Sequence, residues 1–278
     1  MRLTKRDLEI FKLISKTAIL TTAQIERTFF SGVATTTVLR RLRKLEKAKL
    51  IDRIEGLPNH ELAWALTMKG AESVGYLNPK RNFHRLALVH DVKLADLQLI
   101  LESSRIAHSW IPEHEIRSAM ARKHGVKRMQ NQSVPDGIMG VKYQGVMESI
   151  VIEMELHYKN KNRYREIFQS YVGKRNVKAV WYFVTSASLG KHLEKLWTKH
   201  VGNYGPWLFW SLVDDVLKNG CRADIRYFDK TFEIQGIFEP SILAHPSGSG
   251  VSTFDEVKIE KQIDLRSEIQ GELPAKAG

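Results

Sequence analysis

The chain has 278 residues, of which 43% are hydrophobic, and a net charge of +12 at pH 7. This length predicts about two domains, and the positive charge favours a polyanionic partner, either nucleic acid or an anionic membrane surface. The one cysteine, Cys221, excludes an intrachain disulfide and a cysteine-based metal cluster. No apolar run approaches the roughly 20 residues of a membrane-spanning helix, and the first residues lack the apolar stretch of a signal peptide. We therefore expect a cytoplasmic protein without a membrane partner.

The first third of the chain predicts three helices. Thr4 and Asp7 have the spacing of a capping box, which opens the first helix. Thr21 and Thr22 precede a second, short helix, and a third helix is predicted over about residues 34–48.

The third helix has an apolar side and a basic side. At about 100° per residue, Val38, Leu42 and Leu45 fall together and should face the core. The opposite side carries a threonine and four basic residues: Thr36, Arg40, Arg43, Lys44 and Lys47. A basic row that follows small hydroxyl residues suits entry into the major groove of DNA, although a charged row is also typical of a solvated helix face. Residues 1–84 contain 16 Lys and Arg against 8 Asp and Glu, a net +8, which favours contact with double-stranded DNA.

A β-hairpin should follow this helix. Residues 50–54 and 63–67 read as two strands around a turn that contains Pro58 and His60. The order of helix, helix, basic helix, hairpin and a further helix at Thr67 resembles the winged-helix DNA-binding domains of bacterial regulators. The resemblance covers about residues 3–77, and we expect a winged-helix domain over residues 1–77. It implies that His60 at the tip of the wing reaches a minor groove or a phosphate, while a solvated turn histidine is the alternative.

A second domain is expected over residues 85–240. A helix over 86–103 carries His90 on its apolar face, followed by Asp91. Both are candidates to support a catalytic site, although a histidine on an apolar face is more often part of the core. A strand is predicted over residues 110–116.

Three carboxylates converge in the next part of the sequence. Asp136 begins one strand-like run, and Glu153 and Glu155 lie two residues apart in the next, so both glutamates should point to one face of a hairpin. Clustered carboxylates repel each other, and a bound Mg²⁺ or Mn²⁺ would neutralise them, because hard cations take oxygen ligands. Exposed glutamates on an edge strand and an ordinary Pro-Asp-Gly turn are the alternative.

The rest of the chain alternates helices and strands. A helix from about 158 to 172, a buried strand over 177–184, a helix over 189–201 and a strand over 207–210 should give at least one parallel strand pair. A hairpin is predicted over 222–238, and a flexible tail over 241–278. The predicted fold class is therefore α/β (α+β), with a mixed sheet flanked by helices.

The acidic motif and its order of elements resemble the PD-(D/E)xK nuclease core. This resemblance implies that Asp136, Glu153 and Glu155 hold Mg²⁺ or Mn²⁺ and activate water against DNA. Glu155 stands where that core has a lysine. The positively charged side chain would therefore have to come from Lys159, Lys161 or Lys174, and we take Lys161 as the catalytic candidate.

The sequence also resembles the replication-relaxation proteins of plasmids and conjugative elements. The residues that carry this resemblance are short motifs: His90-Asp91, Asp96, Trp110 to Glu113, Pro135 to Gly137 and Glu153 to Glu155. The resemblance implies plasmid or mobile-element DNA processing, in replication, mobilisation or transposition, with replication, relaxase or transposition proteins as partners and a possible homodimer.

Two alternatives to a metal-dependent nuclease remain open. One is a non-cleaving DNA-binding factor that keeps a nuclease fold as a scaffold, which the missing lysine favours. The other is a transcriptional regulator whose second domain senses a small ligand, which predicts a closed apolar pocket instead of an acidic one.

Overall fold

The structure is a computed structural model that describes residues 1–77, 79–80, 82–125, 133–173, 176–202 and 205–238. Lys174 and the tail predicted over 241–278 lie outside these residues. The chain divides into two compact units. The first comprises residues 1–100 and 110–115, and the second comprises residues 101–109 with the described residues from 116 onward. None of the described helices is both long and apolar enough to cross a membrane.

The first unit begins with three helices and a small sheet. Its elements are α1 (Lys5–Thr17), β1 (Leu20–Thr21), α2 (Thr22–Phe29), α3 (Thr35–Lys47), β2 (Ile51–Ile54), β3 (Ala63–Leu66), α4 (Met68–Glu72) and α5 (Leu88–Ser103). The three strands lie in the order β1-β3-β2, and both pairs are antiparallel. The predicted helices and hairpin are therefore present in the predicted order.

Capping and burial explain why these helices form where they do. Thr4 and Asp7 make the predicted capping box at α1, and Thr21 makes another with Gln24 at α2. Val38, Leu42 and Leu45 of α3 are buried in the core of this unit, as their spacing predicts. The apolar side of α3 is thus fixed inward, and its basic side faces outward.

The second part of the chain builds a seven-stranded mixed sheet flanked by helices. Its elements are β4 (Ser109–Pro112), α6 (Glu113–His124), β5 (Gly137–Tyr143), β6 (Val146–Glu155), α7 (Lys161–Gln169), β7 (Ala179–Val184), α8 (Ala187–His200), β8 (Trp207–Leu212), α9 (Val213–Asn219), β9 (Asp224–Tyr227), β10 (Lys230–Glu233) and α10 (Ile234–Ile237). The strand order is β10-β9-β8-β7-β6-β5-β4, with β6-β7 and β7-β8 parallel. The predicted α+β class, the mixed sheet and the parallel pair are confirmed.

Two local predictions in this region are wrong. The strand predicted over 110–116 ends at Pro112, and helix α6 begins at Glu113. Glu113 and Glu115 lie in the first turn of this helix, where carboxylates favour the helix N-terminus. The α-helix predicted from residue 86 begins at Leu88, after a 3₁₀ turn over Arg85–Ala87, and Leu86 is almost fully exposed instead of lying on the buried face.

One face of the sheet carries the acidic residues. The parallel register places Glu153 beside Tyr182 and Glu155 beside Val184, so all four point to the same side. Phe168 of α7 packs its ring against Tyr182 on this side, with 6.1 Å between ring centroids. The glutamates are therefore covered by a helical layer and lie inside the second unit.

Candidate functional site

Asp136 and Glu153 are brought together by the β5-β6 hairpin. Its antiparallel register pairs Gly137 with Ile152, which makes Asp136 and Glu153 the next neighbours across the two strands. Oδ2 of Asp136 accepts a hydrogen bond of 2.7 Å from the backbone N–H of Met154. The backbone of β6 therefore holds the carboxylate of Asp136 beside that of Glu153.

Glu153 is a buried acid with a phenol partner. Its exposed fraction is 8%, and its Oε1 accepts a hydrogen bond of 2.7 Å from the hydroxyl of Tyr171. Burial, followed by the negative charge of Asp136, raises the pKa of Glu153 to about 8, although the Tyr171 hydrogen bond and the charge of Lys159 act in the opposite direction. Its surroundings therefore favour the protonated form of this carboxyl.

Glu155 has a different partner from Glu153. Its carboxylate is buried and forms an ion pair with Nζ of Lys159 at 2.5 Å. The hydroxyl of Tyr164 lies beside this pair and accepts a hydrogen bond from the backbone N–H of Lys159 at 3.0 Å. Burial, together with the charge of Glu155, raises the pKa of Tyr164 to about 12. Lys159 thus supplies a positive charge at the second acid of the strand.

The carboxylates of Asp136 and Glu153 can be compared with the ligands that a divalent metal ion takes in proteins. Within the described ranges, no three His, Cys, Asp or Glu side chains are grouped so as to hold a metal together. Mg²⁺ is usually bound by one or two carboxylates together with water and substrate phosphates, and not by an all-protein cage. Asp136 and Glu153 provide such a pair of carboxylates, so these residues fit Mg²⁺ or Mn²⁺.

The lysine that lies at the acids is not the predicted one. Lys161 is the first residue of helix α7 and its side chain is exposed, whereas Lys159 contacts Glu155 directly. Lys159 follows Glu155 by four residues, outside the spacing of the nuclease motif. The catalytic role of Lys161 stays a prediction.

His90 and Asp91 make their described contacts within the first unit. Asp91 is buried and accepts a hydrogen bond of 2.7 Å from Nζ of Lys80, while His90 Nδ1 lies 3.5 Å from the same carboxylate. Burial would raise the pKa of Asp91, but the hydrogen bond from His90 and the charge of Lys80 outweigh it and lower the pKa. Asp91 is therefore an ionised partner of a lysine in this unit.

The predicted DNA-contacting residues share one property, which is exposure to solvent. They are Thr36, Arg40, Arg43, Lys44 and Lys47 on α3, and His60 at the end of a 3₁₀ turn between β2 and β3. Arg41 differs from its neighbours, because its guanidinium reaches the buried carboxylate of Asp7. The basic side of α3 is thus available to a partner except at Arg41, which ties α3 to α1.

The sequence matches a known protein family. A family model described as replication-relaxation matches residues 11–176. The match covers more than half of the chain, so the protein belongs to the replication-relaxation family, as the resemblance of its motifs predicted. Among curated proteins, no sequence is significantly similar to this one.

One solved structure is also similar to this chain. It is that of the restriction endonuclease FokI bound to DNA, with 11% sequence identity and a TM-score of 0.28. The similarity covers 79% of this chain and 45% of the FokI chain. The present chain thus spans less than half the length of that protein.

Sequence reasoning missed the residues that surround the acids. Tyr171 and Tyr182 are both almost fully buried next to Glu153, yet neither belongs to a short motif. Tyr182 lies in a fully buried strand, where it reads as an ordinary core aromatic residue. Only the register of β6 against β7 shows that it is the direct neighbour of Glu153.

Proposed function

We propose that this protein binds double-stranded DNA through helix α3 and acts on plasmid or mobile-element DNA with a Mg²⁺- or Mn²⁺-dependent nuclease site. The observation that carries the proposal is the pairing of Asp136 with Glu153 at the buried end of the β5-β6 hairpin. Membership of the replication-relaxation family supports the biological setting. The resemblance of residues 3–77 to winged-helix domains supports DNA recognition, with His60 as the proposed contact of the wing.

The side chains of the proposed site would have different roles. A bound divalent cation supplies a polarised water and neutralises phosphate charge. Asp136, oriented by the N–H of Met154, and Glu153, held by Tyr171, would bind that cation. Glu153 must give up its proton before it can ligate, so cation binding releases a proton from this carboxyl near neutral pH.

Lys159 is the positively charged side chain of the site in this proposal. Its Nζ is held by Glu155, and its side chain is partly exposed to solvent, where a phosphate oxygen would arrive. Glu155 then keeps Lys159 in place instead of binding metal. Lys159→Ala should reduce cutting by about 100-fold, as expected for removal of one group that stabilises developing charge. Lys161→Ala removes the lysine predicted from the sequence, which is exposed at the first position of α7, and it should cut like the wild type if Lys159 is the charged group of the site.

The direct test is incubation of the purified full chain with supercoiled plasmid in Mg²⁺, Mn²⁺ or EDTA. Nicked or linear product should form with either metal and not with EDTA, provided that the DNA contains a site the protein recognises. Glu153→Gln should bind DNA normally and leave the plasmid supercoiled. Identical product levels in the wild type and in Glu153→Gln would refute the nuclease site.

A non-cleaving DNA-binding factor is the second candidate. The ion pair between Glu155 and Lys159 favours it, because one of the three predicted acids is already neutralised by the protein. This function predicts DNA binding without cutting on any substrate and in any metal. Replication, relaxase or transposition proteins would then be the catalysts that it recruits, as a monomer or as a homodimer.

A further inference from the structure

Glu153 lies between two buried phenols. Tyr171 is 2% exposed and donates a hydrogen bond to Oε1 of Glu153, which leaves Oε2 of the same carboxyl for other partners. Tyr182 is 1% exposed and stands directly beside Glu153 in the register of the parallel pair β6-β7. Tyr171 lies in the turn after α7 and Tyr182 on β7, so two separate parts of the second unit each place a phenol next to Glu153.

The hydroxyl of Tyr182 has no hydrogen-bond partner among the described residues, although it is fully buried. The charge of Glu153 is the strongest one that acts on this hydroxyl, which places the phenol oxygen at the acidic cluster and not elsewhere in the core. A buried hydroxyl without a partner is unfavourable. A phenylalanine would fill the same space without that cost, so a tyrosine at this position indicates an oxygen atom that joins it there.

We propose that Tyr171 and Tyr182 are positioning residues of the cation site, where Tyr171 fixes Glu153 and Tyr182 donates a hydrogen bond to an oxygen ligand of the cation. That ligand is either a water molecule or a phosphate oxygen of DNA. The inference rests on the proposed pairing of Asp136 and Glu153 as metal ligands. It follows the general behaviour of metal sites, in which partners of the ligands fix the ligand geometry and their loss weakens metal binding about 10- to 100-fold.

The test is Mn²⁺ titration of the full chain, measured by calorimetry and by thermal shift. Tyr171→Phe and Tyr182→Phe should bind Mn²⁺ about 10-fold more weakly than the wild type, with melting temperatures in EDTA close to that of the wild type. Tyr143→Phe is the matched control, since it removes a phenol hydroxyl at the other end of the β5-β6 hairpin, and it should bind Mn²⁺ normally. Asp136→Asn should not bind Mn²⁺ at all.

The outcomes separate this inference from the function on which it rests. Normal Mn²⁺ affinity in both tyrosine variants, with and without a duplex oligonucleotide, together with loss of binding in Asp136→Asn, would overturn the positioning role and keep the metal site. Absence of Mn²⁺ binding by the wild type would overturn both.

A repeat with a duplex oligonucleotide identifies the partner of Tyr182. A defect present without DNA points to a water ligand, and a defect that arises only with DNA points to a phosphate oxygen.

Discussion

Helix α3 and strand β6 both carry rows of charge, but in opposite environments. On α3 the basic residues are exposed, apart from the half-buried Arg41, and each is solvated independently of the others. On β6 Glu153 and Glu155 are buried, so each charge depends on the groups around it. The first region is suited to a polyanion that arrives from solution, and the second to a small cation that enters among fixed partners.

The same comparison applies within β6. Glu153 and Glu155 are two residues apart on one face, but Glu153 has a raised pKa next to Asp136 and Glu155 is paired with Lys159. Two acids of identical chemistry therefore have different neighbours: an acid beside Glu153 and a lysine beside Glu155. Position in the strand alone does not decide which of them can bind metal.

The largest expected effect comes from removing an acid of the Asp136–Glu153 pair. Asp136→Asn or Glu153→Gln should lower metal-dependent plasmid cutting by at least about 100-fold, because each removes a carboxylate that would hold the charge-stabilising cation in the proposed site. DNA affinity, measured by fluorescence anisotropy, should not change. Glu155→Gln should retain the Mn²⁺-induced rise in melting temperature. Loss of that rise in Glu155→Gln would make Glu155 a metal ligand and remove the distinction between the two glutamates.

A pH series examines Glu153 without metal. The pKa of Glu153 is raised to about 8 in the folded chain from a usual value of 4.5, so its contribution to stability is fully present below pH 4.5 and is lost as the pH rises toward 8. The melting temperature of the wild type in EDTA should therefore fall over this interval more than that of Glu153→Gln. Parallel curves for the two proteins would show that the carboxyl is ionised throughout.

Arg40 and Arg41, two adjacent arginines of α3, allow the same comparison between an exposed and a partly buried charge. Arg41 is 25% exposed and donates from Nε to Oδ1 of Asp7 at 2.8 Å, whereas Arg40 is exposed. Arg41→Ala leaves the buried carboxylate of Asp7 without its cation and should lower the free energy of unfolding by about 3 kcal/mol in urea denaturation. Arg40→Ala should leave unfolding unchanged. Equal destabilisation by both would mean that exposure does not separate structural from functional basic residues on this helix.

The regions also differ in how far the sequence predicts them. The exposed side of α3 follows from helical periodicity alone, because Val38, Leu42 and Leu45 define the buried side. Alternation in β6 likewise predicts that Glu153 and Glu155 share a face. The neighbours of Glu153 come from distant positions, since Tyr182 lies beside it only through the register of β6 against β7. No short motif encodes that register, so the place of Tyr182 beside Glu153 could be found only from the fold.

The smallest expected effect is on the salt dependence of DNA binding. Each phosphate contact contributes about −0.9 to the slope of log K against log salt, so the double variant Arg40→Ala and Lys44→Ala should flatten the slope by about 2. A second double variant, Lys12→Ala and Lys16→Ala on α1, removes the same charge from another helix and should leave the slope unchanged. Equal flattening by both would show that DNA responds to the net charge of the first unit, and α3 would then no longer be a distinct recognition surface. If the slope stays unchanged in the α3 variant and is flattened by about 2 in the α1 variant, the DNA contact lies on α1 instead.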